Sequence, residues 1–126
     1  MELNKIYNED CLIGMSAIPD KSVDMILSDL PYGTIKGASH YGNKVDWDVV
    51  INTKELFEQL IKTYSNSDDL VLDVCMGSGT TAIACINTNR NYIGFELDEE
   101  YYKASIERIN NHVKDKQIDL FEILDN

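Results

Sequence analysis

Leu70-Val71-Leu72-Asp73-Val74-Cys75-Met76-Gly77-Ser78-Gly79-Thr80-Thr81 decides how this chain folds. Leu70 to Val74 is an apolar, branched run around one acid, the pattern of a buried strand. The Gly77-Ser78-Gly79 turn ends it, and Thr80 to Asn89 reads as a helix. Glycines at 77 and 79 let a ligand approach backbone that a Cβ would cover. The helix start behind them presents unpaired N–H groups and a positive dipole end, which suits a carboxylate or phosphate.

Downstream, Tyr92-Ile93-Gly94-Phe95-Glu96 reads as another buried strand, and its terminal acid can accept hydrogen bonds from ribose hydroxyls. Asp98 caps a last helix with the stripe Tyr102, Ile106, Ile109 and Val113. Upstream, Asn66 to Asp69 is a turn. Thr53 to Tyr64 is an amphipathic helix, capped by Thr53 and striped by Leu56, Phe57, Leu60, Ile61 and Tyr64. Further back lie a strand over Lys5 to Asn8, a short helix over Cys11 to Ala17 stopped by Pro19, and a buried strand over Val23 to Ser28. Gly33 to Asn52 shows no period, and an aperiodic stretch of that length is usually functional or mobile.

Strands alternating with helices imply an α/β fold with parallel pairing and right-handed crossovers. Such sheets bind ligands beyond the carboxyl ends of their strands. Asp10, Asp29 to Tyr32, Asp73 to Gly79 and Glu96 all stand just past an expected strand. A chain of 126 residues, 44% hydrophobic, supports one core. Eleven basic against 22 acidic residues give a formal charge of −11, a poor global match to a polyanion. Lys36, Lys44, Lys54 and Lys62 are the clustered exceptions. Cys11, Cys75 and Cys85 lack C-x-x-C spacing, so no zinc site or disulfide framework is indicated, and they read as small buried hydrophobes. Apolar runs are too short for a membrane span and the N-terminus has no signal-peptide pattern, which makes the cytoplasm the default.

Asp29-Leu30-Pro31-Tyr32, followed by Asp73-Val74-Cys75-Met76-Gly77-Ser78-Gly79-Thr80-Thr81, resembles the S-adenosylmethionine-dependent DNA amino-methyltransferases, which implies that the tetrapeptide carries chemistry on an exocyclic base amine. An exocyclic base amine is a poor nucleophile because its lone pair is delocalised into the ring. Accepting both of its N–H hydrogens favours a pyramidal nitrogen. Asp29 offers one acceptor, and the Leu30 carbonyl, its direction fixed by Pro31, offers the other. Tyr32 offers a ring on which an extruded base can stack. The order of the two motifs matches that family's permuted class of phage and bacterial type, in which the catalytic motif comes first. An NAD-type domain shares the G-x-G logic but wants a third glycine where Ala82 stands. The Pro-Cys nucleophile of cytosine C5 enzymes is absent.

The resemblance implies a Rossmann-like methyltransferase sheet, reduced to about four parallel strands with flanking helices. It implies N6-adenine as target and Asp29, Leu30, Pro31 and Tyr32 as catalytic residues. Asp73 and the Gly77–Gly79 backbone would hold the cofactor's amino-acid end, Glu96 the ribose and Asp10 the adenine, with Cys11, Cys75, Ser78, Thr80 and Leu97 lining the site. Asp10 can also cap a helix, the two roles not excluding each other, and Cys75 reads first as a packed core residue. No metal is expected. The family's middle strands, target-recognition segment and basic proline-containing stretch have no counterpart here, as if two helices were fused near Gln59. Residues 1–113 are thus expected to form a shortened methyltransferase domain and 114–126 a tail. The expected strand order is Lys5–Asn8, Tyr92–Glu96, Leu70–Val74, then Val23–Ser28 at an open edge that favours a homodimer or higher oligomer. DNA binding would be weak without the recognition segment. Gln117-Ile118-Asp119-Leu120-Phe121 resembles the peptide with which bacterial replication proteins dock on the sliding clamp, the alternative being that Leu120 and Phe121 pack on the body or on a partner. Set against the enzyme is a non-catalytic remnant that serves as a cofactor-binding or protein-interaction module.

Overall fold

A computed structural model describes residues 1–28 and 53–124, so Asp29, Leu30, Pro31 and Tyr32 lie outside the described residues, as do Lys36 and Lys44. The strands are β1 (Lys5–Tyr7), β2 (Met25–Ile26), β3 (Leu70–Asp73) and β4 (Asn91–Phe95). They form one parallel sheet in the order β1-β4-β3-β2, the order expected from the sequence. The helices are α1 (Cys11–Gly14), continued by a 3-10 turn over Met15–Ala17, then α2 (Thr53–Tyr64), α3 (Thr80–Thr88) and α4 (Glu99–Leu124).

Alternation along the strands makes two cores. Val71 and Tyr92 face one side, with Ile6, and pack on Phe57 and Ile61 of α2, Ala82 and Ile83 of α3, and Ile109 of α4. Leu70, Leu72, Ile93 and Phe95 face the other side, where Cys11, Met15, Ile18 and Val23 cover them. Helix α3 lies deepest, with Thr80 to Cys85 all buried. It ends at Asn89, whose φ of 60° is the left-handed turn that closes many helices. Arg90 then ties this end to the end of α2, donating to the Ser65 hydroxyl at 3.0 Å and the Ser65 carbonyl at 2.9 Å.

Several elements depart from expectation. Strand β2 is only two residues long; beside it the Asp24 and Leu27 N–H groups donate to the Leu70 and Leu72 carbonyls, each at 2.9 Å, and the Asp24 carboxylate accepts the Leu70 N–H at 2.8 Å. In α2, Phe57 and Ile61 are buried but Leu56 and Tyr64 are exposed, so the covered stripe is narrower. Helix α4 runs unbroken through residue 113 to Leu124, and Ile118, Leu120 and Phe121 are exposed rather than packed on the body. Of the cysteines only Cys85 is buried; Cys11 is half-buried and Cys75 exposed.

Candidate functional site

Strands β3 and β4 are neighbours, with Asp73 in register with Gly94. Asp73, the last residue of β3, is fully buried. Its Oδ1 accepts the Cys75 N–H at 2.9 Å and its Oδ2 the Thr81 hydroxyl at 2.6 Å. One carboxylate therefore holds both ends of the loop between β3 and α3. A buried acid needs such donors to offset its lost hydration.

Between those ends the chain must reverse. Gly77 has φ 55° and Gly79 φ 86°, in the left-handed region that favours glycine. A Cβ on Gly77 would meet only the Cys75 carbonyl, at 3.8 Å, so the outer side of the loop is open. A Cβ on Gly79 would sit 3.4 Å from Ser105 and Ile109 of α4, so that glycine also allows close packing. Met76 turns inward and is fully buried, its side chain lying where a Cβ on Gly94 would be, 2.2 Å from the methyl. This inward turn of Met76 leaves Cys75 at the surface, which corrects the expectation of a packed core cysteine. What desolvation Cys75 does have raises its thiol pKa, and the charges of Asp73, Cys11 and Glu96 add to the rise, so it stays a neutral thiol at neutral pH.

Glu96 follows β4. Its Oε2 accepts the Gly77 N–H at 2.8 Å and its Oε1 the Asp98 N–H at 3.2 Å. The glycine loop is thus stitched to β4 as well as to β3. The Asn8 amide, just past β1, donates to the Glu96 carbonyl at 2.8 Å and the Leu97 carbonyl at 3.2 Å. Asp10 caps α1, accepting the Leu12 N–H at 2.8 Å. The acids Asp10, Glu96 and Asp73 therefore stand at or just past the carboxyl ends of β1, β4 and β3, three adjacent strands. Leu97 is exposed, Ser78 is exposed and Thr80 is buried, while Cys11 packs beneath the sheet on the Phe95 side.

One residue was missed by sequence reasoning. Arg108 of α4 donates through Nη1 to the Ser78 carbonyl, the Ser78 hydroxyl and the Thr80 hydroxyl, each at 3.2 Å. Only helical periodicity pointed to it, since it stands one turn beyond buried Ser105 and beside buried Ile109. Grooves of about 400 and 450 Å³ run along α4, and neither is lined by Asp73, Gly77 or Glu96. Among the described residues no group of His, Cys, Asp or Glu could hold a metal ion, and no helix is long and apolar enough to cross a membrane.

Residues 52–107 match the family model described as DNA methylase, a segment that holds the glycine loop but not Asp29–Tyr32. The chain is 50% identical over 48 residues to the Type II methyltransferase M1.MboII of Moraxella bovis, covering 38% of this chain and 18% of that protein. It is 43% identical over 60 residues to the orphan methyltransferase M.BamHII of Bacillus amyloliquefaciens, covering 48% and 23%. A solved putative DNA modification methylase from Thermus thermophilus, complexed with S-adenosyl-L-methionine, is 38% identical, with 48% of this chain and 25% of that one covered and a TM-score of 0.46. The chain matches well under two thirds of the length of these curated relatives. Over residues 52–107, the stretch that carries the glycine loop, the chain is similar to the DNA methylases.

Proposed function

We propose that the chain binds S-adenosyl-L-methionine over the carboxyl ends of β1, β4 and β3 and transfers its methyl group to the N6 amine of adenine in DNA. The observation that carries this reading is the loop at Gly77–Gly79, open on its outer side and fixed between Asp73 and Glu96. Bound there, the cofactor supplies an electrophilic methyl on a sulfonium.

The residues fit that group. Gly77 presents backbone without side-chain cover just before α3, where the amino-acid end would lie, while Gly79 packs on Ser105 and Ile109. Glu96 uses one acceptor position on each oxygen for Gly77 and Asp98, and a carboxylate has about four, so it can still take ribose hydroxyls. Asp10, already a cap, keeps a free oxygen lobe for the adenine side, with Cys11 and Leu97 flanking it. Asp73 acts from beneath by fixing the loop, and Cys75, Ser78 and Thr80 line it. Asp29 and the Leu30 carbonyl accept the two hydrogens of the target amine, and Tyr32 stacks on the base. Asp at the first position of that tetrapeptide favours adenine N6 over cytosine N4 by family resemblance.

Isothermal titration with S-adenosylhomocysteine tests the cofactor site, and transfer of labelled methyl to plasmid DNA, with Asp29→Ala as control, tests the activity. Binding without transfer would make the chain a cofactor-binding module. The proposed setting is the cytoplasm, with DNA as weakly held substrate and a homodimer or higher oligomer as the working form. The exposed apolar residues of Gln117–Phe121 leave that stretch free to meet a sliding clamp, and deleting residues 117–126 should then abolish clamp binding.

A further inference from the structure

We propose that Arg108 is a positioning residue for the cofactor's amino-acid end, acting through the Ser78–Thr80 turn. The inference rests on the cofactor reading above. Three side chains hold the glycine loop. Asp73 fixes its two ends, and Glu96 fixes Gly77. The stretch from Ser78 to Thr80 is held by Arg108, which reaches across from α4 to one carbonyl and two hydroxyls. The hydroxyls of Ser78 and Thr80 are themselves 3.3 Å apart, and both accept from Arg108.

The arrangement is unusual for an arginine. Among the described residues Arg108 meets no carboxylate within ion-pair distance; the ion pairs there are Lys5–Glu2 and Lys103–Glu99. Its charge is spent on neutral loop oxygens, where a planar guanidinium gives directed, charge-assisted hydrogen bonds. Polarising these hydroxyls makes them better donors toward an anionic group on the open side of the loop. The ribose and adenine ends of the site belong to Glu96 and Asp10, which Arg108 does not touch. Its influence should therefore be confined to one end of the cofactor.

That confinement is the test. S-Adenosylhomocysteine carries the amino-acid end, whereas 5′-methylthioadenosine has the same nucleoside without it. In the full chain, Arg108→Ala should weaken S-adenosylhomocysteine about tenfold, the loss of a charge-assisted bond, and leave methylthioadenosine within about twofold. Arg108→Lys, which keeps the charge and one donor nitrogen, should recover part of the affinity. Equal weakening of both nucleosides would make Arg108 a general structural residue and overturn the proposal, as would equal affinity for S-adenosylhomocysteine in wild type and Arg108→Ala. A wild-type chain that binds neither nucleoside would instead overturn the cofactor reading, a distinct result that carries this inference down with it.

Discussion

Asp73 accepts a backbone N–H and a hydroxyl from a fully buried position, so its removal strands two donors. Asp73→Ala should cost about 2–4 kcal/mol of unfolding free energy in urea. Thr81→Val, which strands one oxygen of the pair, should cost less. A loss under about 0.5 kcal/mol for Asp73→Ala would mean the loop is not held by this carboxylate. Gly14 makes a second residue-level point. A Cβ there would fall 2.0 Å from the Phe95 ring, itself fully buried. Alanine stabilises most helix positions by up to about 1 kcal/mol relative to glycine. Here Gly14→Ala should instead cost about 1–3 kcal/mol, because the ring has nowhere to go. Thermal melts of the two proteins decide the sign. Neither point was legible in the sequence. Asp73 could be read as a site acid, but not as the tie between the loop's two ends. The direction of Cys75 was hidden too, because alternation stops where β3 stops and Met76, not Cys75, takes the inward place.

At the scale of elements, three helices are joined by one polar chain. The Asn87 amide nitrogen in α3 donates to Glu58 of α2 at 2.8 Å. That leaves its carbonyl oxygen facing His112 Nε2 of α4, also at 2.8 Å. The Asn orientation makes His112 Nε2 the donor, a bond that survives protonation of the ring. Burial nonetheless pushes the His112 pKa below its ordinary value, helped by Lys54, Lys116 and Arg108 and opposed by Asp115. The unfolded chain then takes up a proton at a higher pH than the folded one. The stability from keeping this ring neutral is complete above the ordinary histidine value, about 6.5, and is lost as pH falls toward the folded-state value. Thermal stability should therefore drop further between pH 7.5 and pH 5 in the wild type than in His112→Gln. Equal slopes would remove the idea. Strands and helices were the most legible level, since buried apolar runs and a 3.6-residue stripe mark them directly. One contact no pattern shows is that Asp24, 46 positions away in sequence, caps the start of β3 by accepting the Leu70 N–H.

For the whole molecule, the strand order was legible only through the family resemblance, since periodicity identifies strands and not their neighbours. The same order leaves apolar surface with no partner among the described residues. Ile26 of β2 is 66% exposed, and β2 pairs there with β3 alone. A second apolar surface lies at the end of α4, where Ile118, Leu120, Phe121, Ile123 and Leu124 are all exposed. Isolated apolar side chains are ordinary on protein surfaces, but clusters of this kind usually meet a partner. Truncation after Lys116 should leave unfolding free energy within about 0.5 kcal/mol, because the removed turns are exposed. The proposed homodimer can use one surface or the other, and the two make opposite demands. If the open strand edge is the interface, Ile26→Glu should turn a concentration-dependent dimer into a monomer in sedimentation, while the truncated chain still pairs. Should the truncation abolish the dimer and Ile26→Glu spare it, the interface belongs to α4 and the open edge carries none of the association. A wild-type chain that stays monomeric across the concentration range would remove the oligomer altogether, and the methyl-transfer reading would then have to hold for a single copy.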